Sequence, residues 1–336
     1  MLLIGADDIF AAHETGRGHP ERAGRLIAVR EGIKRSGVTD SRRSLTVRAA
    51  SRDELIRVHS PEYLDALQQR CEAGGGRLDP DTVASSGSWQ AARVAAGTGL
   101  AAIEALDAGA GDAAFCALRP PGHHAVADRA MGFCLINNVA VAAAALAERG
   151  ERVCVVDFDA HHGNGTQDMF WTDPRVLYVS MHQWPLYPGS GRLDECGAGA
   201  GAGTTVNLPF PAGTTGDVYL RAMDEVVTPV LERFDPTWLL VSAGFDAHRA
   251  DPLTDLGLTS ADFADITSRI TAAAPAPGRL IAFLEGGYSQ DGLRDSVAAM
   301  LPELVGGPSN RPEPATSGGP GAPVVDAARD VHCRDA

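Results

Sequence analysis

Residues Val153–Asp168 read VCVVDFDAHHGNGTQD, an apolar run that gives way abruptly to acids, imidazoles and glycines. A short Val-rich run of this kind is typical of a strand buried on both faces, and such strands belong to parallel sheets. In an extended chain alternate side chains share a face. Asp157, Asp159 and His161 therefore point one way, and Phe158 and Ala160 the other. An aspartate and a histidine two residues apart can grip one divalent ion together. A turn or helix cap would account for one acid, but not for a D-x-D-x-H run beside a second histidine.

Working outward, four more runs have the same character: AAFCAL (113–118), VLYVSM (176–181), WLLVSAGF (238–245) and RLIAFLEGG (279–287). Helix-like segments separate them at 88–106, 138–149, 216–234, 260–273 and 290–300. This alternation predicts an α/β fold with a parallel sheet covered on both faces. Ligands of such sheets bind outside the carboxyl ends of the strands. The five runs exit into RPPGHHA, DAHHGNG, HQW, DAHRADP and GGYS, which carry His123, His124, His161, His162, His182 and His248. Loops are ordinarily polar, but five successive exits rich in metal-type or acid–base side chains indicate a shared site. Asp246, at the fourth exit, is the natural third ligand beside Asp159 and His161. Two carboxylates and an imidazole without a thiolate suit a catalytic zinc or iron(II) centre with an open position.

The 336 residues, 44% of them hydrophobic, allow one large α/β domain or two smaller ones. A net charge of −14 opposes nucleic acid and anionic membranes as partners and mildly favours cationic ones. Lys34 is the only lysine, which reads as genome composition bias. Cys71, Cys116, Cys134, Cys154, Cys196 and Cys333 form no C-x-x-C pair, so neither a disulfide framework nor a structural zinc site is expected. The opening MLLIGADDIF lacks the features of a signal peptide, and no apolar run approaches membrane-spanning length. The expectation is a soluble, cytoplasmic protein, free to self-associate into an oligomer. Residues 308–322, rich in Pro, Gly and Ser, read as a flexible linker. They divide a catalytic domain at 1–307 from a tail at 323–336 with room for one short helix.

Seven motifs together carry a family resemblance: GHPER (18–22), RPPGHHA (119–125), GFCLINNVA (132–140), DFDAHHGNGTQ (157–167), YPGSG (187–191), SAGFDAH (242–248) and LEGGY (284–288). Over about residues 13–305 the chain resembles the histone deacetylase superfamily, closest to its class II branch of bacterial deacetylase-like amidohydrolases and acetylpolyamine amidohydrolases. The resemblance implies a three-layer α/β/α arginase–deacetylase fold with a central, mainly parallel sheet. It implies zinc, with iron(II) as the alternative, on Asp159, His161 and Asp246. It makes His123 and His124 the tandem active-site histidines, partnered by Asp157 and Asn164 respectively, and Tyr288 the donor to the substrate carbonyl. Gly132 and Phe133 form one wall of an acyl-lysine tunnel, and Leu186 and Tyr187 the other. Gly286, Gly287 and Leu253 complete the substrate contacts, and Arg22 lines an internal channel. A structural potassium ion would use main-chain oxygens around Asp157, Asp159, His161, Ser180 and Met181. A weaker second one would use those near Phe170, Asp173 and Val176.

An aspartate partner favours imidazolium and an asparagine partner does so much less, so the tandem histidines should titrate apart. Together with the family resemblance, this makes His124 the general base and later acid, and gives His123 mainly electrostatic stabilisation. Two other readings compete. The arginase branch of the fold uses two manganese ions and a D-x-H-x-D ligand set, whereas this chain has Asp246, His248 and Asp251 in D-A-H-R-A-D. A non-catalytic acyl-ligand-binding protein would have lost Tyr288 or a zinc ligand, and all are present. Polyamine-selective relatives carry a glutamate shortly after a D-P pair; Leu253 stands there in this chain. Leucine cannot pair with ammonium, so the expected substrate is the N-acetyl-lysine side chain of a protein or peptide. An acetylpolyamine or another small N-acyl amine is the alternative.

Overall fold

A computed structural model describes residues 1–307 and 309–333. Its ten strands are β1 Leu2–Gly5, β2 Arg42–Ser44, β3 Gly75–Arg77, β4 Val83–Ser85, β5 Ala113–Cys116, β6 Val153–Asp157, β7 Val176–Gln183, β8 Thr205–Phe210, β9 Trp238–Ala243 and β10 Leu280–Leu284. Eight of them form one sheet in the order β2-β1-β5-β10-β9-β6-β7-β8, and β3 pairs with β4 in a separate hairpin. Every neighbouring pair in the large sheet is parallel.

The pleat of β6 explains the layers. Cys154 and Val156 enter one hydrophobic core, and Val153 and Val155 enter another on the opposite face. Helices Ser88–Asp107 and Asn138–Glu148 cover the second core. Helices Ser260–Ala272 and Gln290–Glu303 cover the first. Burying one Val or Leu contributes roughly 1.5–3 kcal/mol, so strands lined on both faces make a stiff platform. The result is the three-layer α/β/α architecture.

The five apolar runs are β5, β6, β7, β9 and β10, and they occupy five contiguous central positions. After β5 the chain skips two places to lay down β6, β7 and β8, then returns to fill the gap with β9 and β10. Segments far apart in sequence thus leave the sheet side by side: Asp157–His161, Asp246 and Gly286–Tyr288.

The helix expected over 216–234 is interrupted. It runs as α-helix Gly216–Ala222, a π-helical turn Met223–Val227 and α-helix Thr228–Phe234. Pro229 has no amide hydrogen, so the regular i→i−4 ladder cannot pass through it. No described helix is long and apolar enough to cross a membrane.

Composition pointed to a flexible linker at 308–322, but residues 309–321 lie against the domain. The Thr316 hydroxyl and amide donate to the two carboxylate oxygens of Asp262 at 2.8 and 3.0 Å. The Gly216 amide donates to the Thr316 hydroxyl at 2.8 Å, and Arg311 pairs with Asp265 at 2.6 Å. The polar residues of this stretch satisfy groups at helix starts, where backbone donors lack intrahelical partners. Helix Ala322–His332 follows and buries Val325 and Ala328. Pro308 and residues 334–336 lie outside the described residues.

Candidate active site

Asp157 is the last residue of β6; the chain then bends over Asp159–His161, where the Asp159 and His161 amides donate to Asp157 Oδ1 and Asp159 Oδ1 at 3.1 and 2.8 Å, while Phe158 packs between Phe245 and Phe263. Asp246 arrives from the exit of β9. The ligand atoms of Asp159, His161 and Asp246 all lie within 4.8 Å of one another. His161 Nδ1 stands 3.2 Å from Asp159 Oδ1 and 3.0 Å from Asp246 Oδ2. The remaining carboxylate oxygens are held by backbone: Asp159 Oδ2 accepts from the Gly286 amide at 2.8 Å, and Asp246 Oδ1 from the Ala160 amide at 2.7 Å. Both carboxylates are buried. Burial raises the Asp246 carboxyl to about 7, and the negative charge of Asp159 adds to the effect. A divalent cation would relieve that repulsion, and the O,O,N donor set fits zinc or iron(II).

Glycine is required beneath this cluster. A Cβ on Gly286 would lie 2.1 Å from Asp246 Oδ2 and 2.6 Å from Asp159 Oδ2. Gly286→Ala is therefore expected to weaken metal binding about 10–100-fold, the usual cost of disturbing groups that orient ligands. A competition titration against a chelator measures this, and unchanged affinity would show that the carboxylates are not fixed from below.

The histidine pair sits on the loop after β5. His123 Nδ1 is 3.0 Å from Asp157 Oδ2, which also accepts the Tyr178 hydroxyl at 3.0 Å. His124 Nδ1 is 2.9 Å from Asn164 Oδ1, so its proton lies on Nδ1 and Nε2 is left as a base. Burial opposes charge on His123, but Asp159 and Asp157 outweigh it and raise the imidazole to about 10. Burial, with the neighbouring charges of His123 and His161, holds His124 well below its ordinary value. The expected separation of the two rings is therefore built into their surroundings.

A cavity of about 220 Å³ opens above the cluster. Gly132 and Phe133 form one side and Leu186 and Tyr187 another, while His124, His161 and Tyr288 line it as well. Leu253 and Tyr187 are 37% and 38% exposed and stand at its open end. Tyr187 lies edge-on to His124 with ring centroids 5.2 Å apart. Phe133 has φ 68°, a conformation that costs a bulky residue about 1–3 kcal/mol. The Thr82 hydroxyl, which accepts the Phe133 amide at 3.0 Å, helps to hold it there.

Three expectations need correction. Arg22 is exposed, because it precedes the helix Gly24–Arg35. Arg25, inside that helix, is the buried arginine: it donates to the Gly287 and Glu285 carbonyls at 2.7 and 2.5 Å and lies 5.0 Å from the Tyr288 ring centroid. Gly286 and Gly287 do not line the cavity; the first underlies the ligand carboxylates and the second accepts from Arg25. Nor do all six exit histidines meet. His162 Nδ1 bonds to Ser190 at 2.8 Å and His182 Nε2 to the Gly191 carbonyl at 2.9 Å, clipping down the YPGSG loop. His248 faces the C-terminal segment.

Of the expected potassium ligands, Ser180 lies opposite Asp157 in the β6–β7 ladder, and Met181 follows it. The carbonyls of Phe170 and Asp173 accept the amides of Asp173 and Val176 at 3.0 and 3.4 Å. Sequence reasoning missed Glu285, which is buried and accepts the Gly122 and His123 amides at 2.6 and 3.2 Å. It also missed Arg25, Asp81 and Thr82, and it met Asp251 only in weighing the two-manganese reading. Glu285 stood in plain view inside LEGGY, but nothing in its spacing tells a backbone-binding carboxylate from a surface one.

A base and a hydroxyl donor sharing one narrow cavity over a cation cradle, on an arginase–deacetylase sheet, are the equipment of a hydrolase of linear amides. Comparison with known proteins narrows that class. The Histone deacetylase domain pattern matches residues 19–304, and the chain belongs to the histone deacetylase family. It is 41% identical over 288 residues to a probable deacetylase of Archaeoglobus fulgidus, covering 84% of this chain and 80% of that protein. It is 40% identical over 294 residues to a histone deacetylase-like amidohydrolase of Pseudomonas aeruginosa, covering 86% and 77%. The crystal structure of the HDA15 HD domain superposes with a TM-score of 0.90 at 34% identity, covering 98% of this chain and 95% of that one. The chain is thus a hydrolase of the histone deacetylase type.

Proposed function

We propose that this enzyme is a zinc-dependent deacetylase that hydrolyses the amide of N-acetyl-lysine side chains in proteins or peptides and releases acetate. The observation that carries the reading is that His124, Tyr288 and the ligand His161 line one narrow cavity. Asp159, His161 and Asp246 would hold the metal, which when bound supplies Lewis acidity to a carbonyl and lowers the pKa of water. His124 Nε2 takes the proton of the attacking water and returns it to the departing amine. The Tyr288 hydroxyl donates to the oxygen on which negative charge develops. His123, charged through Asp157 and Asp159, stabilises that charge from behind. Potassium on the carbonyls of Asp157, Asp159, His161, Ser180 and Met181, and more weakly near Phe170, Asp173 and Val176, would brace the strand exits.

Leu253 at the cavity mouth supports acyl-lysine, since it offers nothing to a distal ammonium. Asp81 favours the second reading, an acetylpolyamine or other small N-acyl amine, because its carboxylate lies in the same lining. The deciding experiment measures kcat/KM for an acetyl-lysine peptide, N-acetylputrescine and an acetylspermidine at matched ionic strength, on protein of known metal content. The expected result is one equivalent of zinc or iron(II) and preference for the peptide. A polyamine preference above about a hundredfold, roughly 2.7 kcal/mol, would overturn the substrate assignment. Activity requiring two equivalents of manganese would overturn the mononuclear site.

A further inference from the structure

Two residues beyond Asp246, His248 is 4% exposed, and its ring is fixed on both sides. The Ala250 amide donates to its Nδ1 at 3.1 Å, which leaves the proton on Nε2. Nε2 donates to Glu313 Oε2 at 2.8 Å. Glu313 comes from the C-terminal segment that composition marked as a linker. Its other oxygen accepts from Arg249 at 2.7 Å, and Oε2 also lies 3.3 Å from the amide of Ser260, the first residue of a helix. A single carboxylate therefore joins the tail, a helix start and the loop that follows the metal ligand.

The path continues inward from His248. Its main-chain carbonyl accepts the Asp251 amide at 2.8 Å. Asp251 is a buried carboxylate that binds backbone: Oδ2 accepts the amides of Tyr288 and Ser289 at 2.7 and 3.2 Å, and Oδ1 accepts that of Leu253 at 3.0 Å. The loop that His248 anchors thus holds the main chain of both Tyr288 and Leu253. Gly292, on the helix after Tyr288, lies close against the His248 ring; a Cβ there would come within 2.8 Å of Nδ1.

We propose that Glu313 is a positioning residue for Tyr288, acting through His248 and Asp251, so that a segment outside every catalytic motif sets where the tyrosine hydroxyl stands. The inference rests on the assignment of Tyr288 as carbonyl donor. A purely structural tail would make Glu313 variants less stable without linking their kinetics to one side chain. A positioning role links their loss of turnover to the Tyr288 hydroxyl.

The test uses the full chain with Glu313→Ala and Glu313→Gln, alone and combined with Tyr288→Phe. Glu313→Ala is expected to lower kcat per metal-loaded site about ten- to a hundredfold, as misplacement by remote residues does, with KM nearly unchanged. Glu313→Gln keeps an oxygen for His248 Nε2 and is expected to recover most of the loss. In the Tyr288→Phe background Glu313→Ala is expected to cost nothing further, because the group it positions is gone. Amide exchange over residues 286–289 is expected to quicken in Glu313→Ala whether or not metal is bound. Where that variant fails to fold, Glu313→Asp, which keeps the charge but retracts by one methylene, is expected to show the same signs. An equal loss with and without the Tyr288 hydroxyl would overturn the proposal. So would wild-type kcat together with wild-type exchange at 286–289. A wild-type protein inactive on every acetylated amine would sink the deacetylase reading instead, and the exchange measurement would still judge the coupling.

Discussion

Tyr288→Phe is expected to lower kcat by about two to three orders of magnitude while leaving metal content unchanged, the usual cost of one lost oxyanion donor. The geometry makes the hydroxyl a free donor: among the described residues it has no hydrogen-bond partner, and it lines the cavity beside His124 and His161. Burial pushes its pKa well above the ordinary value, so it keeps its proton throughout the neutral range. Phe133 packs edge-on to the ring at 5.7 Å, and the Arg25 guanidinium lies on it at 5.0 Å, so phenylalanine fits the same space. Turnover unaltered in this variant would remove Tyr288 from the reaction.

His124→Ala should cost about 10²–10⁴-fold in kcat, the range for a lost general acid–base, and should be the more damaging of the two histidine changes. The ranking comes from placement. His124 lines the cavity and keeps Nε2 unprotonated through Asn164, whereas His123 stands behind it, does not line the cavity, and is bound to Asp157. In the proposed mechanism the general base must reach the substrate, and of the two rings it is His124 that faces the cavity. Steady-state kinetics on both alanine variants with verified metal content decide the point; a larger loss for His123→Ala would exchange the roles.

How far the sheet was legible in the sequence followed position within it. The five strands readable as apolar runs are the five contiguous central ones, because covering on both faces forces near-continuous Val, Leu, Ile and Ala. The strands that escaped notice lie at the margins. In β2, Arg42–Ser44 are all exposed, and in β8 Asn207 and Pro209 interrupt the apolar pattern. The candidate ligand cluster Asp159, His161 and Asp246 was within reach of the sequence because each member stands within a few residues of a strand end. Arg25 could not be told from Arg22 by that means, since only the register of the helix decides which one faces inward. Nor could Asp251, whose carboxylate holds backbone amides, or Glu313, which folding carries from the tail to His248. The tail itself was misread for the same reason. Pro, Gly and Ser mark a segment without its own core, yet this one borrows partners from the helices beneath it.

The strand order also governs how the protein comes into being. When a ribosome has released the chain only as far as β8, the sheet lacks its two middle members. The facing sides of β5 and β6 then have no neighbours, and Asp159 and His161 have no Asp246. Such a half-built sheet offers bare edges to other chains and closes only through contacts of long sequence separation, which are slow to form. The three candidate metal ligands therefore come together only once β9 has been made, and the proposed metal site belongs to the end of synthesis.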